Sequence, residues 1–138
     1  MAEAAKVRQR INDFLTRFGK ERGIALPPLS EDGVSQVQRG SAVVSIHVVE
    51  AQGVLLLLSK IMPVPEDGTE ACYRRLLELS FLQTGDAAFA IDARTNQIFL
   101  RCLRRLEGLD YEEFEDLVHS VASVADTWDD KLHAEFSR

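Results

Sequence analysis

The sequence predicts an α+β fold in which helices cover one side of an antiparallel sheet. Apolar residues recur at helical spacing near both ends of the chain and in its middle, and runs typical of β-strands fill the intervals. Short turns, such as Gly40-Ser41 and the ARTN stretch at 93–96, favour hairpins over crossover connections. These observations predict the order α-β-β-β-α-β-β-α, with a twisted antiparallel sheet flanked by helices, in a single domain over residues 1–138.

The first helix is predicted from one apolar stripe. Its members are Val7, Ile11, Phe14, Leu15 and Phe18. Gly19 or, preferably, Gly23 ends the helix in a left-handed cap. Pro27 and Pro28 cannot continue a helix, so they predict an extended linker.

Three strands are predicted next, at Val34–Arg39, Ala42–Glu50 and Val54–Met62. A strand with one solvent-exposed face alternates apolar and polar residues. The third strand opens with VLLLL instead, and the second strand has aliphatic residues on both faces. Helices on one side of a sheet leave its other face uncovered. Either a helix crosses that face within a two-sided core, or another chain covers it.

A second helix follows Pro65, with Asp67 as its cap and Glu70 at the capping-box position. Its apolar arc is wider than a one-sided helix needs, which predicts contacts on two sides. The arc comprises Cys72, Tyr73, Leu76, Leu77, Leu79, Phe81 and Leu82. A hairpin with strands Ala87–Asp92 and Gln97–Arg104 comes next.

The last helix has the clearest start signal in the chain. Asp110 is its cap, Glu113 completes a capping box, and Leu109 and Phe114 have the spacing of a hydrophobic staple. A long apolar stripe then continues to Leu132.

Composition limits the classes of function. The net charge of −6 argues against nucleic acid and anionic membranes as partners. The N-terminus has no apolar signal region, and no apolar run reaches the roughly 20 residues of a membrane helix. Cys72 and Cys102 are expected to be free, buried thiols in a reducing compartment, so the cytoplasm is the expected location.

Reactive motifs are lacking, and we therefore expect no enzyme activity, no cofactor and no metal. His47, His119 and His133 stand outside any metal-binding pattern, and the sequence has neither a phosphate-binding glycine loop nor a nucleophile elbow. The carboxylates of DYEEFED at 110–116 favour the positive end of a helix dipole and are assigned to a solvated face.

Three stretches together resemble the small acidic chaperones of type III secretion, in their class I or Tir-chaperone-like family. They are INDFLTRFGKERGI from residue 11, GVLLLLSKIMPVPED from residue 53, and RRLLELSFLQTGDAAFAIDARTNQIFLRCLRRLEGLDYEEFEDLV from residue 74. The order of elements and the low pI are similar as well. One departure is Ser80-Phe81-Leu82, where many members have Asn-Leu-Leu.

The resemblance implies a homodimer that binds the extended N-terminal region of a secreted effector protein in the bacterial cytoplasm without using a nucleotide. It implies a client groove built by the first helix and the three-stranded part. The matching positions are Phe14, Phe18, Val37, Val43, Val49, Leu56 and Leu58. It also implies a dimer interface built by the second helix and the hairpin. The matching positions there are Leu76, Leu79, Phe81, Ala88 and Phe99.

Two other functions stay open at this stage. A regulatory or adaptor module of the same fold would bind a folded protein partner or a small ligand. A small enzyme would need converging polar groups in a pocket, for instance His47, Cys102 and a carboxylate within hydrogen-bond reach of one another.

Overall fold

The order of helices and strands in the molecule is the predicted one. A computed structural model of the protein describes residues 2–136. Its elements are α1 (Ala2–Arg22), β1 (Val34–Arg39), β2 (Ala42–Val49), a short 3₁₀ turn (Glu50–Gln52), β3 (Val54–Pro63), α2 (Thr69–Leu82), β4 (Ala88–Asp92), β5 (Gln97–Arg105) and α3 (Tyr111–Phe136).

The strands form one antiparallel sheet in the order β1-β2-β3-β5-β4. The prediction of an antiparallel sheet is therefore confirmed. Pairing of Ile46 with Leu57, and of Leu57 with Cys102, turns these three side chains to the same face. All three are buried, because this face carries the helices.

The helical layer is organised by α3, which runs across β1, β2, β3 and β5. Phe114 at its start is fully buried and holds α1 through aromatic packing. The ring centroids of Phe14 and Phe114 lie 5.4 Å apart, and those of Phe18 and Phe114 lie 6.3 Å apart, with the second pair edge-to-face. This packing fixes α1 against α3 on the covered side of the sheet.

Two of the predicted helix ends are confirmed and one is wrong. The N–H of Glu113 donates to the Asp110 carboxylate at 2.8 Å, and Gly23 takes the left-handed conformation after α1. The prediction of Asp67 as the cap of α2 is wrong. The N-cap residue is Gly68, which has φ +70°, and no side chain makes a capping hydrogen bond there. Glycine adopts this conformation at little steric cost, and the chain turns one residue later than the capping-box spacing predicts.

Replacing Gly33 by alanine should destabilise the protein strongly. Gly33 has φ +79°, and a Cβ there would lie 2.8 Å from the main-chain oxygen of Val48, while the Gly33 carbonyl accepts the Val48 N–H. We expect Gly33→Ala to lower the free energy of unfolding by about 3 kcal/mol in chemical denaturation. The matched control is Gly53→Ala, with φ +66° and no neighbour within 4 Å, which should cost about 1 kcal/mol. Equal losses would contradict the proposed clash.

Candidate binding surfaces

The sheet face opposite the helices, here called the open face, is covered by no element of the described chain. It consists of the alternate residues of β2, β3 and β5, with Ala88 and Ala90 of β4 beside them, and these residues are half-buried or exposed. The larger aliphatic and aromatic members on β2, β3 and β5 are Val43, Val49, Val54, Leu56, Leu58, Phe99 and Leu103. An apolar surface of this kind typically marks an interaction site.

Strand pairing places the apolar residues of the open face next to one another. Leu56 of β3 lies opposite His47 of β2 on one side and Leu103 of β5 on the other. Leu58 lies opposite Ser45 and Arg101. The run of leucines in β3 is thus explained by its position: one set of leucines fills the core and the other lines the open face.

A second uncovered apolar surface lies on α2 and is here called the α2 patch. It comprises Tyr73, Leu77, Phe81 and Leu82, of which the last three are 72%, 83% and 78% exposed. The opposite side of the helix, with Cys72, Leu76 and Leu79, is buried in the core. The wide apolar arc of α2 therefore divides into a core side and an exposed side.

The residues predicted for the client groove do not all lie on one surface. Val43, Val49, Leu56 and Leu58 share the open face. Phe14, Phe18 and Val37 lie on the helix side of the sheet instead, where Phe14 is partly buried and Phe18 and Val37 are buried. Phe18 packs on Phe114, and Val37 pairs with the buried Val44. The latter two are therefore core residues of the protomer.

The residues predicted for the dimer interface also divide. Phe81 belongs to the α2 patch, and Ala88 and Phe99 lie on the open face near the β4 edge. Leu76 and Leu79 lie on the side of α2 that is buried in the core, so neither side chain is available for contact with a partner.

Several exposed residues were missing from both predicted sets, and a sequence signal for them existed. Tyr73 and Leu77 were missing, although they precede the predicted Phe81 at intervals of four residues and so form one stripe with it on α2. Leu103 follows Phe99 at an even spacing on β5 and therefore shares its face.

The two thiols are not activated by their surroundings. Burial raises the pKa of the Cys72 and Cys102 thiols, which disfavours the nucleophilic thiolate. Within residues 2–136 no three His, Cys, Asp or Glu side chains are grouped as metal ligands, and no helix is long and apolar enough to cross a membrane.

The one histidine on the open face should make stability depend on pH. Partial burial lowers the pKa of His47 below the usual 6.5, and its strand neighbours Val34 and Leu56 are uncharged. The unfolded chain then binds a proton at a higher pH than the folded chain does. We expect the free energy of unfolding to fall as the pH drops from 6.5 through the lower folded pKa. Denaturation curves at several pH values should show a smaller fall for His47→Gln, and an unchanged fall would contradict this assignment.

Comparison with known proteins identifies the family. A sequence model of the Tir chaperone protein (CesT) family matches residues 13–129. The chain belongs to this family. The resemblance seen in the sequence is thereby confirmed, and the match spans every strand and helix that forms the two surfaces. A comparison with curated protein sequences finds no match.

Solved structures show the same fold. The crystal structure of the ExsC–ExsE complex matches with a TM-score of 0.72 at 21% identity, covering 90% of this chain and 94% of that chain. The HopA1–SchA chaperone–effector complex matches at 0.69 and 12% identity, covering 89% and 95%. The ExoU–SpcU complex from the type III secretion system of Pseudomonas aeruginosa matches at 0.65 and 16% identity, covering 92% and 98%.

Proposed function

We propose that the protein is a non-catalytic chaperone that acts as a homodimer in the cytoplasm. It binds the extended N-terminal region of a secreted effector and keeps the effector competent for export without ATP. The observation that carries this proposal is a pair of separate apolar surfaces, the open face and the α2 patch, on a member of the Tir chaperone protein family. Two separate surfaces can serve two different partners at once.

The α2 patch is the proposed core of the dimer interface. The Ser80 hydroxyl accepts the Phe89 N–H at 3.0 Å, which ties the end of α2 to β4 and brings the patch beside Ala88. A two-fold interface uses the same patch on both protomers, and an apolar helix face is self-complementary in this way. Leu77, Phe81 and Leu82 are the proposed anchors because they are exposed in the protomer and would be buried by its twin.

The open face is the proposed client surface. An extended client loses conformational entropy when it binds, so a broad apolar contact is needed to hold it. Val43, Val49, Leu56 and Leu58 supply such a contact on neighbouring strands. Phe18 and Val37 do not contact the client. Together with Phe14 they pack on the helix side of the sheet and stabilise the positions of the sheet and α1.

The solved relatives support a partner of this kind. The HopA1–SchA structure is a chaperone–effector complex, and the ExoU–SpcU structure is a heterodimeric complex from a type III secretion system.

Affinity capture from the native cytosol tests the function. The tagged protein should retain one secreted protein through a protease-sensitive N-terminal segment, which becomes protected in the complex. The capture should persist when ATP is removed. Recovery of folded partners or of a small ligand only would favour the adaptor function instead.

A further inference from the structure

Charge is distributed unevenly between the sheet and the helices. The chain has 22 carboxylate residues, yet β1, β2, β3 and β5 contain no aspartate or glutamate. Among residues 2–136 the only acidic strand residue is Asp92 at the end of β4, where its carboxylate accepts the Arg94 N–H. The sheet is thus basic and apolar within an acidic protein.

The cations on the open face lack carboxylate partners. Lys60, Arg101 and Arg105 make no ion pair with any described residue. By contrast, Arg104, which points to the other face, lies 2.8 Å from the Glu113 carboxylate. Adjacent arginines on β5 therefore differ in one respect: the inward one is paired and the outward one, Arg105, is not.

The unpaired arginines alternate with an apolar residue. Arg101, Leu103 and Arg105 stand in sequence on the open face of β5, and Leu103 is 48% exposed. Their partners on β3 are Leu58, Leu56 and Val54, which make an aliphatic row beside them. A ligand lying along β5 would meet a cation, an apolar side chain and a second cation in turn.

We propose that the open face selects an extended client segment whose sheet-facing side chains are acidic, apolar and acidic at positions i, i+2 and i+4. This inference rests on the proposed function and names the chemistry of its client. An extended segment repeats same-face side chains every ~6.8 Å, the same spacing as on β5. A helix repeats them every ~5.4 Å and would fall short by about 3 Å across the three positions.

Desolvation makes the acidic residues selective. A purely aliphatic segment would cover the guanidinium groups of Arg101 and Arg105 without supplying partners, which is unfavourable. A carboxylate at each position forms charge-assisted, bidentate hydrogen bonds with the arginine. The net charge of −6 disfavours acidic segments over the protein as a whole, which adds to the preference for this basic strip.

A cleft at the end of β5 extends the strip. It has a volume of about 990 Å³, and its walls include Arg10, Arg105 and Leu103. Of the acidic residues that line it, Glu50 is paired with Arg8 at 3.1 Å. Glu107 also borders it and limits how far an acidic segment can continue beyond Arg105.

The test uses synthetic peptides of defined pattern with the full-length protein. One peptide repeats Leu-Ser-Glu-Ser, which puts leucine and glutamate on one face of an extended chain. A second repeats Leu-Ser-Gln-Ser, and a third repeats Leu-Glu-Ser-Ser, which puts glutamate on the opposite face from leucine. Fluorescence anisotropy should show the first peptide binding about tenfold more tightly than either of the others.

Charge reversal supplies the second measurement. Arg101→Glu with Arg105→Glu should remove the preference for the glutamate peptide and favour a Leu-Ser-Lys-Ser peptide instead. The control, Lys6→Glu with Lys20→Glu, makes the same change of charge at exposed positions of α1 and should keep the original preference.

The outcomes separate this inference from the proposed function. Equal binding of the glutamate and glutamine peptides, or binding of none of them, would overturn the acidic pattern. Capture of a secreted client by the same protein would then leave the chaperone function intact. Dissociation of the dimer by the Arg101/Arg105 reversal, with an unchanged peptide preference, would assign the strip to a second copy and also overturn the inference.

Discussion

Replacing Leu77 and Phe81 by aspartate should leave a folded monomer in place of the dimer. Both side chains are largely exposed in the protomer, so the substitution costs little in folding. In the dimer each would place unpaired carboxylates in an apolar interface, which should weaken association by at least about a hundredfold. Light scattering should report the 15.4 kDa chain mass, and circular dichroism should match the unmodified protein.

The matched control for this variant is Leu79→Asp. Leu79 lies on the same helix but is buried in the core, so its aspartate should lower the free energy of unfolding by about 4 kcal/mol or more. The two outcomes differ in kind, since one dissociates the dimer and the other unfolds the protomer. A folded dimer with both Leu77 and Phe81 replaced would rule out the α2 patch as the interface.

Replacing Leu56 and Leu58 by aspartate should abolish client capture without dissociating the dimer. These side chains lie on the open face and are only partly buried in the protomer, so we expect the protomer to fold with the new charges, at a moderate cost in the free energy of unfolding. Two carboxylates among Val43, Val49 and Val54 should weaken client binding by about a hundredfold in co-purification or titration.

The controls for this variant use charge outside the open face. Ser120→Asp with Thr127→Asp adds the same charge at exposed positions of α3 and should leave capture unchanged. Unchanged capture by the Leu56/Leu58 variant would place the client elsewhere on the molecule.

Local patterns predicted the elements closely because the relevant signals are local. The predicted bounds of β1, Val34–Arg39, are those of the structure, and alternation along β5 puts Ile98, Leu100 and Cys102 on one face, which is buried. The capping box at Asp110 fixed the start of α3, since its hydrogen bond spans only three residues.

The division between core and surface could not be predicted in the same way. An apolar pattern shows that Leu77 and Leu79 both avoid water, but it does not show which one the rest of the protomer covers. Phe18 and Val37 were assigned to a groove although they lie in the core, because that choice depends on where α3 crosses the sheet. Asp67 illustrates the same limit at short range: Gly68 provides a left-handed turn that competes with the side-chain cap.

Which cations of the open face lack a carboxylate partner also depends on tertiary structure and could not be predicted from sequence. Arg104 and Arg105 are neighbours in sequence, and only the direction of each side chain decides whether Glu113 is within reach. The sequence does contain one usable sign, since four of the strands have no acidic residue. Charge segregation by element is therefore a signal worth reading together with hydrophobic alternation.

The mass of the protein alone in solution is the most direct test of the central claim, that one protomer exposes more apolar surface than it can cover. Multi-angle light scattering at micromolar concentration should give twice the 15.4 kDa chain mass before any client is added. A single-chain mass at every concentration, from a protein that binds no apolar dye, would contradict it.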